Sequence, residues 1–365
     1  MAYNFEQICS NFAIEGSFVS AEPYGEGHIN DTYLVKTTEK EYILQRVNDT
    51  VFKEPTKVIE NVKNVTEFMG KKILETGGNP DRETLTLIMS GEGKGYYIDE
   101  NGELFRMYIF IDHAICYQSV ENAEVFYQAA RAFGKFQNML REFPAEKLHE
   151  TIVNFHDTVD RYRIFKEAVA ADKVGRLASV EKEVEFAMGR EKDACIIMDA
   201  LRNKEIPLRV THNDTKLNNV MIDETTGEGI CVIDLDTVMP GSMLFDYGDS
   251  IRFGASTAAE DELDLDKVNM DLNLFEEYTK GYLEELGDSI TEKEVELLPM
   301  SAKLMTLECG VRFLTDYLDG DNYFKIHRPE HNLDRARTQF KLVADMENKM
   351  EKMNEIVAKY YKGRC

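Results

Sequence analysis

The sequence predicts an α+β protein in two parts, a strand-rich stretch over residues 1–110 and a mainly helical stretch over residues 111–365. Three observations carry this. Short runs with apolar residues at alternate positions dominate the first part. From residue 121 onward, apolar residues recur three and four apart over long stretches, the mark of amphipathic helices. A chain of 365 residues also exceeds what a single core usually organises, so two compact parts are expected.

In the first part, residues 4–12 predict a short helix, and 18–23 and 29–36 predict strands flanking Gly25-Glu26-Gly27. Residues 41–47 alternate and form the next strand. Residues 56–69 switch period, with Val58, Ile59, Val62, Val65 and Phe68 on one helical face. Strands follow at 85–89 and 95–98, and 104–111 closes the region, with a hinge expected at 108–112. In the second part, helices are predicted over 122–142, 157–171, 180–202, 272–285, 292–318 and 333–361, with Pro299 the point where the fifth could break. The main strand content there is one hairpin, 220–223 and 230–234, joined by the turn Glu224-Thr225-Thr226-Gly227-Glu228-Gly229.

Composition narrows the classes. There are 43 basic against 67 acidic residues, a net charge of -24, which argues against nucleic acid or an anionic membrane as the main partner. Much of the acid lies in 258–267 and 276–296 and reads as solvated surface. The six cysteines are scattered, without a Cys-x-x-Cys pair or a zinc pattern, and no leader or membrane-length apolar run is evident. A cytoplasmic protein is expected, with no obligatory protein partner.

The chemistry is concentrated in Thr211-His212-Asn213-Asp214-Thr215-Lys216-Leu217-Asn218-Asn219, with Asp234 fifteen residues after Asn219. Asp-x4-Asn entering a hairpin that returns a second Asp is the spacing of kinase phosphoryl transfer. One carboxylate, Asp214, faces the acceptor hydroxyl, while Asn219 and Asp234 hold magnesium on the phosphates of ATP. The glycines Gly25 and Gly27, between two strands, suit a lid whose N–H groups approach those phosphates. Gly91-Glu92-Gly93-Lys94-Gly95 lacks Walker spacing and reads as a hairpin turn. Kinases place a lysine on the third strand, paired to a helix glutamate. Here Gln45 stands there, Arg46 points to the other face, and Glu60 is the nearest helix carboxylate. Backbone groups of Phe110 and Ile111 are placed to bind adenine. After Asp234 there is no Phe-Gly and no room for an activation segment, so a small-molecule acceptor is expected.

His212-Asn213-Asp214 to Asn219, then Ile233-Asp234-Leu235-Asp236, then Asp246, resembles the aminoglycoside phosphotransferase superfamily, which includes choline and homoserine kinases. Tyr24 to Asn30, Tyr42 to Gln45, Arg209 to Asn219, Met239 to Asp246 and Glu308 to Leu314 are similar, more closely, to the bacterial N-acetylhexosamine 1-kinases. That resemblance implies a bilobal protein-kinase-like fold. It also implies ATP- and magnesium-dependent phosphorylation of the C1 hydroxyl of N-acetylglucosamine or N-acetylgalactosamine. Asp214 would take the hydroxyl proton, Lys216 would neutralise the moving phosphoryl group, and Asp246 with His212 would support the loop. His28, Asn30, Arg312 and Tyr323 are the candidate sugar contacts. Arg312, amid apolar neighbours, needs a partner, Asp316 or Asp249 being structural candidates. The alternatives are a kinase for choline, homoserine or an aminoglycoside, and an inactive nucleotide-binding regulator.

Overall fold

The computed structural model describes residues 3–25 and 29–361. The chain divides into two compact units. Met1–Cys116, Met139–Val153 and Asn219–Pro240 form the first, and Tyr117–Asn138, Asn154–Asn218 and Gly241–Cys365 form the second. The first unit thus runs six residues past the expected boundary at 110 and includes the hairpin assigned from sequence to the helical part. Pairing explains this. Ala114 and Ile115 form antiparallel bridges to Asp223 and Ile222. Arg82 also ties Asp112 and Asp223 together, each at 2.7 Å.

In the first unit, a short helix α1 (Phe5–Cys9) precedes strands β1 (Phe18–Pro23), β2 (Asp31–Thr37) and β3 (Glu41–Arg46). Helix α2 (Pro55–Glu75) follows, then β4 (Tyr97–Ile98) and β5 (Leu104–Ile109), giving an antiparallel sheet in the order β1-β2-β3-β5-β4. Tyr42 and Leu44 of β3, with Phe105 and Met107 of β5, pack against Ile8, Cys9 and Phe12 on one face. Leu104 packs with Val58 and Ile59 of α2 on the other. With both faces covered, the alternating residues of β5 are buried on either side, including Arg106. Proline at its first turn starts α2, and Val58, Ile59, Val62, Val65, Met69 and Ile73 line its buried face. Residues 85–89, expected as a strand, give only the isolated bridge Leu87↔Tyr108.

The second unit is helical. Its central helix, Glu292–Asp319, packs on Met243–Gly254, Thr158–Ala171 and His331–Tyr360. Thr291 and Glu294 close a capping box at its start, and Gly320 ends it at φ 99°. Pro299 lies inside this helix without ending it. The helix expected over 180–202 is instead Glu181–Met188, a 3-10 turn Glu191–Cys195, and Ile196–Arg202. Among the described residues, no helix is long and apolar enough to cross a membrane.

Candidate active site

In the second unit, the strand Arg209–Thr211 leads into a loop that one carboxylate organises. Asp246 accepts hydrogen bonds from the N–H of His212 at 2.9 Å, the N–H of Asn213 at 2.8 Å and Gln137 Nε2 at 2.7 Å. Burial raises the Asp246 carboxyl, while His212 and these N–H donors pull it back. Asn213 takes a left-handed conformation, φ 67°, turning the chain toward Asp214. Thr215 Oγ1 donates to the Asp246 carbonyl at 2.6 Å, and the Thr215 N–H donates to Asp249 at 3.2 Å. His212 is fully buried, with the rings of Phe133 and Phe136 edge-on at 5.7 and 6.1 Å. Lys216 Nζ lies 2.9 Å from Asp214 Oδ1. Burial alone would lower the Lys216 amine, but Asp214 and Asp249 outweigh it and keep it charged.

Arg312 finds its partner one helical turn back. Its guanidinium is 3.8 Å from Glu308, neither Asp316 nor Asp249, and lies 5.3 Å from the Phe155 ring and 5.6 Å from Phe324. Asp316 instead accepts the N–H groups of Asn322, Tyr323 and Phe324, shaping the loop that carries the exposed Tyr323. Asp249 pairs with Arg252 at 2.9 Å. His156 bridges the region to the loop: Nδ1 is 2.8 Å from Glu308 Oε1, and Nε2 is 3.2 Å from the Asn213 carbonyl. Burial would raise the Glu308 carboxyl, yet His156 and Arg312 hold it below the usual range.

In the first unit, the hairpin Val220–Asp223 and Gly229–Val232 pairs Val220 with Val232, and the Ile233 N–H donates to the Asn219 carbonyl at 2.9 Å. The hairpin therefore returns Asp234 to the neighbourhood of Asn219. These are hard oxygen donors of the type magnesium takes. Among the described residues, no group of three His, Cys, Asp or Glu could hold a metal. An Asn–Asp pair fits an ion that draws its remaining ligands from phosphate and water. Gln45 does not meet Glu60, which pairs with His149 at 2.9 Å. Its Oε1 instead accepts Nε and Nη2 of Arg106, at 3.0 and 2.8 Å, and its Nε2 donates to Thr32 at 3.1 Å. Arg106 also pairs with Asp236. Asn30 donates to Asp236 at 2.7 Å and accepts the Asn48 N–H at 3.0 Å. Arg46, on the opposite face, pairs with Asp31 and Glu103. Gly25 has φ 75°, which favours glycine. The N–H of Phe110 is committed to the Glu41 carbonyl, and Ile111 is buried. Gly27 and His28 lie outside the described residues.

Comparison with known proteins joins these observations. The pattern of the phosphotransferase enzyme family matches residues 20–282, well over half of the chain. The chain belongs to the phosphotransferase enzyme family. Solved structures share its protein-kinase-like fold. An aminoglycoside phosphotransferase from Alicyclobacillus acidocaldarius is 11% identical, with a TM-score of 0.62 over 97% of this chain and 96% of that one. A microcompartment-associated aminopropanol kinase is 13% identical, with a TM-score of 0.60 over 96% and 98%. A choline kinase from Cryptosporidium parvum is 11% identical, with a TM-score of 0.55 over 98% of each chain.

Sequence reasoning about this phosphotransferase named Asp236 and Glu308 only as parts of matching motifs, without a partner, and gave no role to Arg106 or His156. A signal existed for two of them. Arg106 interrupts the apolar run Leu104-Phe105-Arg106-Met107-Tyr108-Ile109, and Glu308 sits in the apolar part of its helix. A charge in such a setting requires a partner. Sequence does not say which.

Proposed function

We propose that this phosphotransferase is a small-molecule kinase that moves the terminal phosphoryl group of ATP to the anomeric C1 hydroxyl of an N-acetylhexosamine. The observation that carries the reading is the Asp214 loop, clamped at His212 and Asn213 by the buried Asp246. Rigid placement of a carboxylate is what a loose phosphoryl-transfer transition state asks of a base. As the sugar oxygen bonds to phosphorus and the bond to the leaving ADP oxygen breaks, the hydroxyl proton passes to Asp214. Lys216, already at 2.9 Å from Asp214, is placed to balance negative charge there. Asn219 and Asp234 would hold magnesium, which neutralises charge on the phosphates when bound. Gly25, Gly27, Gln45 and the backbone at Phe110 and Ile111 would hold the nucleotide.

The acceptor assignment draws on charge. Arg312 and Arg161 flank Phe155: Arg161 Nε and Nη2 donate to its carbonyl at 3.2 and 2.6 Å, and the Arg312 guanidinium lies 5.3 Å from its ring. Their shared carboxylate, Glu308, is already engaged by His156. Paired arginines suit a neutral, hydroxyl-rich acceptor, with Arg312 and Tyr323 as contacts, and oppose a cationic amine. The second reading, an amino-alcohol or aminoglycoside kinase, is favoured by the solved structures of similar fold. One screen separates them. N-acetylglucosamine, N-acetylgalactosamine, choline, aminopropanol and an aminoglycoside are each offered with magnesium and ATP, and the product is read by phosphorus NMR. A sugar 1-phosphate is expected; turnover of the amines alone rejects the sugar.

A further inference from the structure

We propose that Arg106 is a positioning residue for Asp234, reaching from β5 to lock the turn that carries this metal-ligand candidate. Arg106 acts through Asp234, so this rests on the phosphotransfer reading above but not on which acceptor is used. The starting observation is a displaced charge. Gln45 stands on β3 where kinases keep a lysine, and the register places Arg106 of β5 directly across from it. Cross-strand partners share a face, so the cation sits one strand over from its usual place. Arg106 is 2% exposed and Asp236 is 4% exposed.

The contacts make a strut. Arg106 forks between Gln45 Oε1, which takes two of its N–H groups, and Asp236 Oδ1. Gln45 is itself fixed by Thr32. The other oxygen of Asp236 takes Asn30. Asp236 lies in the 3-10 turn Leu235–Thr237, immediately after Asp234, whose backbone is left-handed at φ 57° and ψ 57°. A non-glycine residue adopts that conformation less readily than glycine, so its surroundings must hold it there. They do so from two sides. Arg106 anchors the turn at Asp236, and Asn61 of α2 donates to the Val238 carbonyl at 2.9 Å beyond it. Arg106 also lies within electrostatic reach of Asp234. An apolar side chain at this buried strand position could pack without any ion pair, and such replacements are often neutral or stabilising. Retaining a desolvated arginine therefore reads as positioning rather than as stability.

The test measures nucleotide binding by calorimetry without acceptor, with and without magnesium. It compares the wild type, Asp234→Asn, and the charge-neutral double variant Arg106→Met with Asp236→Asn. In both variants we expect the magnesium-dependent gain in ATP affinity to fall by about tenfold or more, the usual effect of removing an outer support of a metal ligand. Affinity for magnesium-free ATP is expected to hold. If Asp234→Asn loses the gain and the double variant keeps it, Arg106 is structural only and the proposal fails. If Asp234→Asn keeps the gain, the magnesium assignment of Asp234 fails, and the proposal with it. Loss of magnesium-free ATP binding in the double variant would instead make Arg106 a direct phosphate contact, again overturning positioning. Should the double variant not fold, Arg106→Lys keeps the charge but cannot fork. A reduced magnesium gain is expected there too, and an unchanged one rejects the strut.

Discussion

At the scale of single residues, Asp214 and Glu308 make separable demands. Asp214→Asn is expected to lower turnover by about 10²–10⁴, the range for a positioned base, while ATP binding persists in calorimetry. Unchanged turnover would remove Asp214 from the reaction. Glu308 is 1% exposed, with His156 at 2.8 Å and Arg312 at 3.8 Å. Its folded-state pKa is below the ordinary value of 4.5, so its contribution to stability is present above that pH and is lost as pH falls through the lower folded value. Glu308→Gln should therefore be clearly less stable than wild type at pH 7, by urea denaturation, with the gap closing in acid. An equal gap at both ends would show that the charge is not its source. Asp214, Asn219 and Asp234 stand out as candidates in the sequence because their spacing lies within one loop and one hairpin. Arg106 could not be matched with Asp236 from sequence, nor Glu308 with His156, because these pairs lie 130 and 152 residues apart along the chain.

At the scale of elements, close packing overrode local preference in several places. Pro299 removes a backbone hydrogen bond and ordinarily breaks a helix at about 3 kcal/mol. The helix Glu292–Asp319 nonetheless continues, because it is buried along most of its length and packed by three other helices. Residues 85–89 had the right alternation but meet β5 mainly at Tyr108 and its neighbours, too short an edge for a ladder. The helix that periodicity runs through to residue 202 ends at Gly189 and resumes only at Ile196. The helix Met243–Gly254, which carries Asp246, approaches the central helix so closely that a Cβ on Gly248 would lie 2.5 Å from the Ser301 carbonyl oxygen. Gly248→Ala should cost at least about 1–3 kcal/mol in chemical denaturation, since backbone cannot move aside. A loss within experimental error would mean that the two helices separate easily.

At the scale of the molecule, both units are assembled from three stretches of chain, and a net charge of -24 is spread over them. Self-repulsion of that size destabilises the compact state and is screened by salt. The unfolding midpoint is therefore expected to rise as sodium chloride is added, and a fall would show that its surface ion pairs outweigh the repulsion. By itself, the sequence determined the α+β class and a strand-rich part followed by a helical one, and it put forward Asp214, Asn219 and Asp234 as candidates, because periodicity and motif spacing are properties of short stretches of chain. Only the tertiary structure decided that the hairpin bearing Asp234 clusters with the strand-rich unit, and that Asp246 clamps the Asp214 loop. It alone matched Arg106 with Asp236 and Glu308 with His156. A charge taken out of water must find its counter-charge, and which one it finds depends on how distant segments pack.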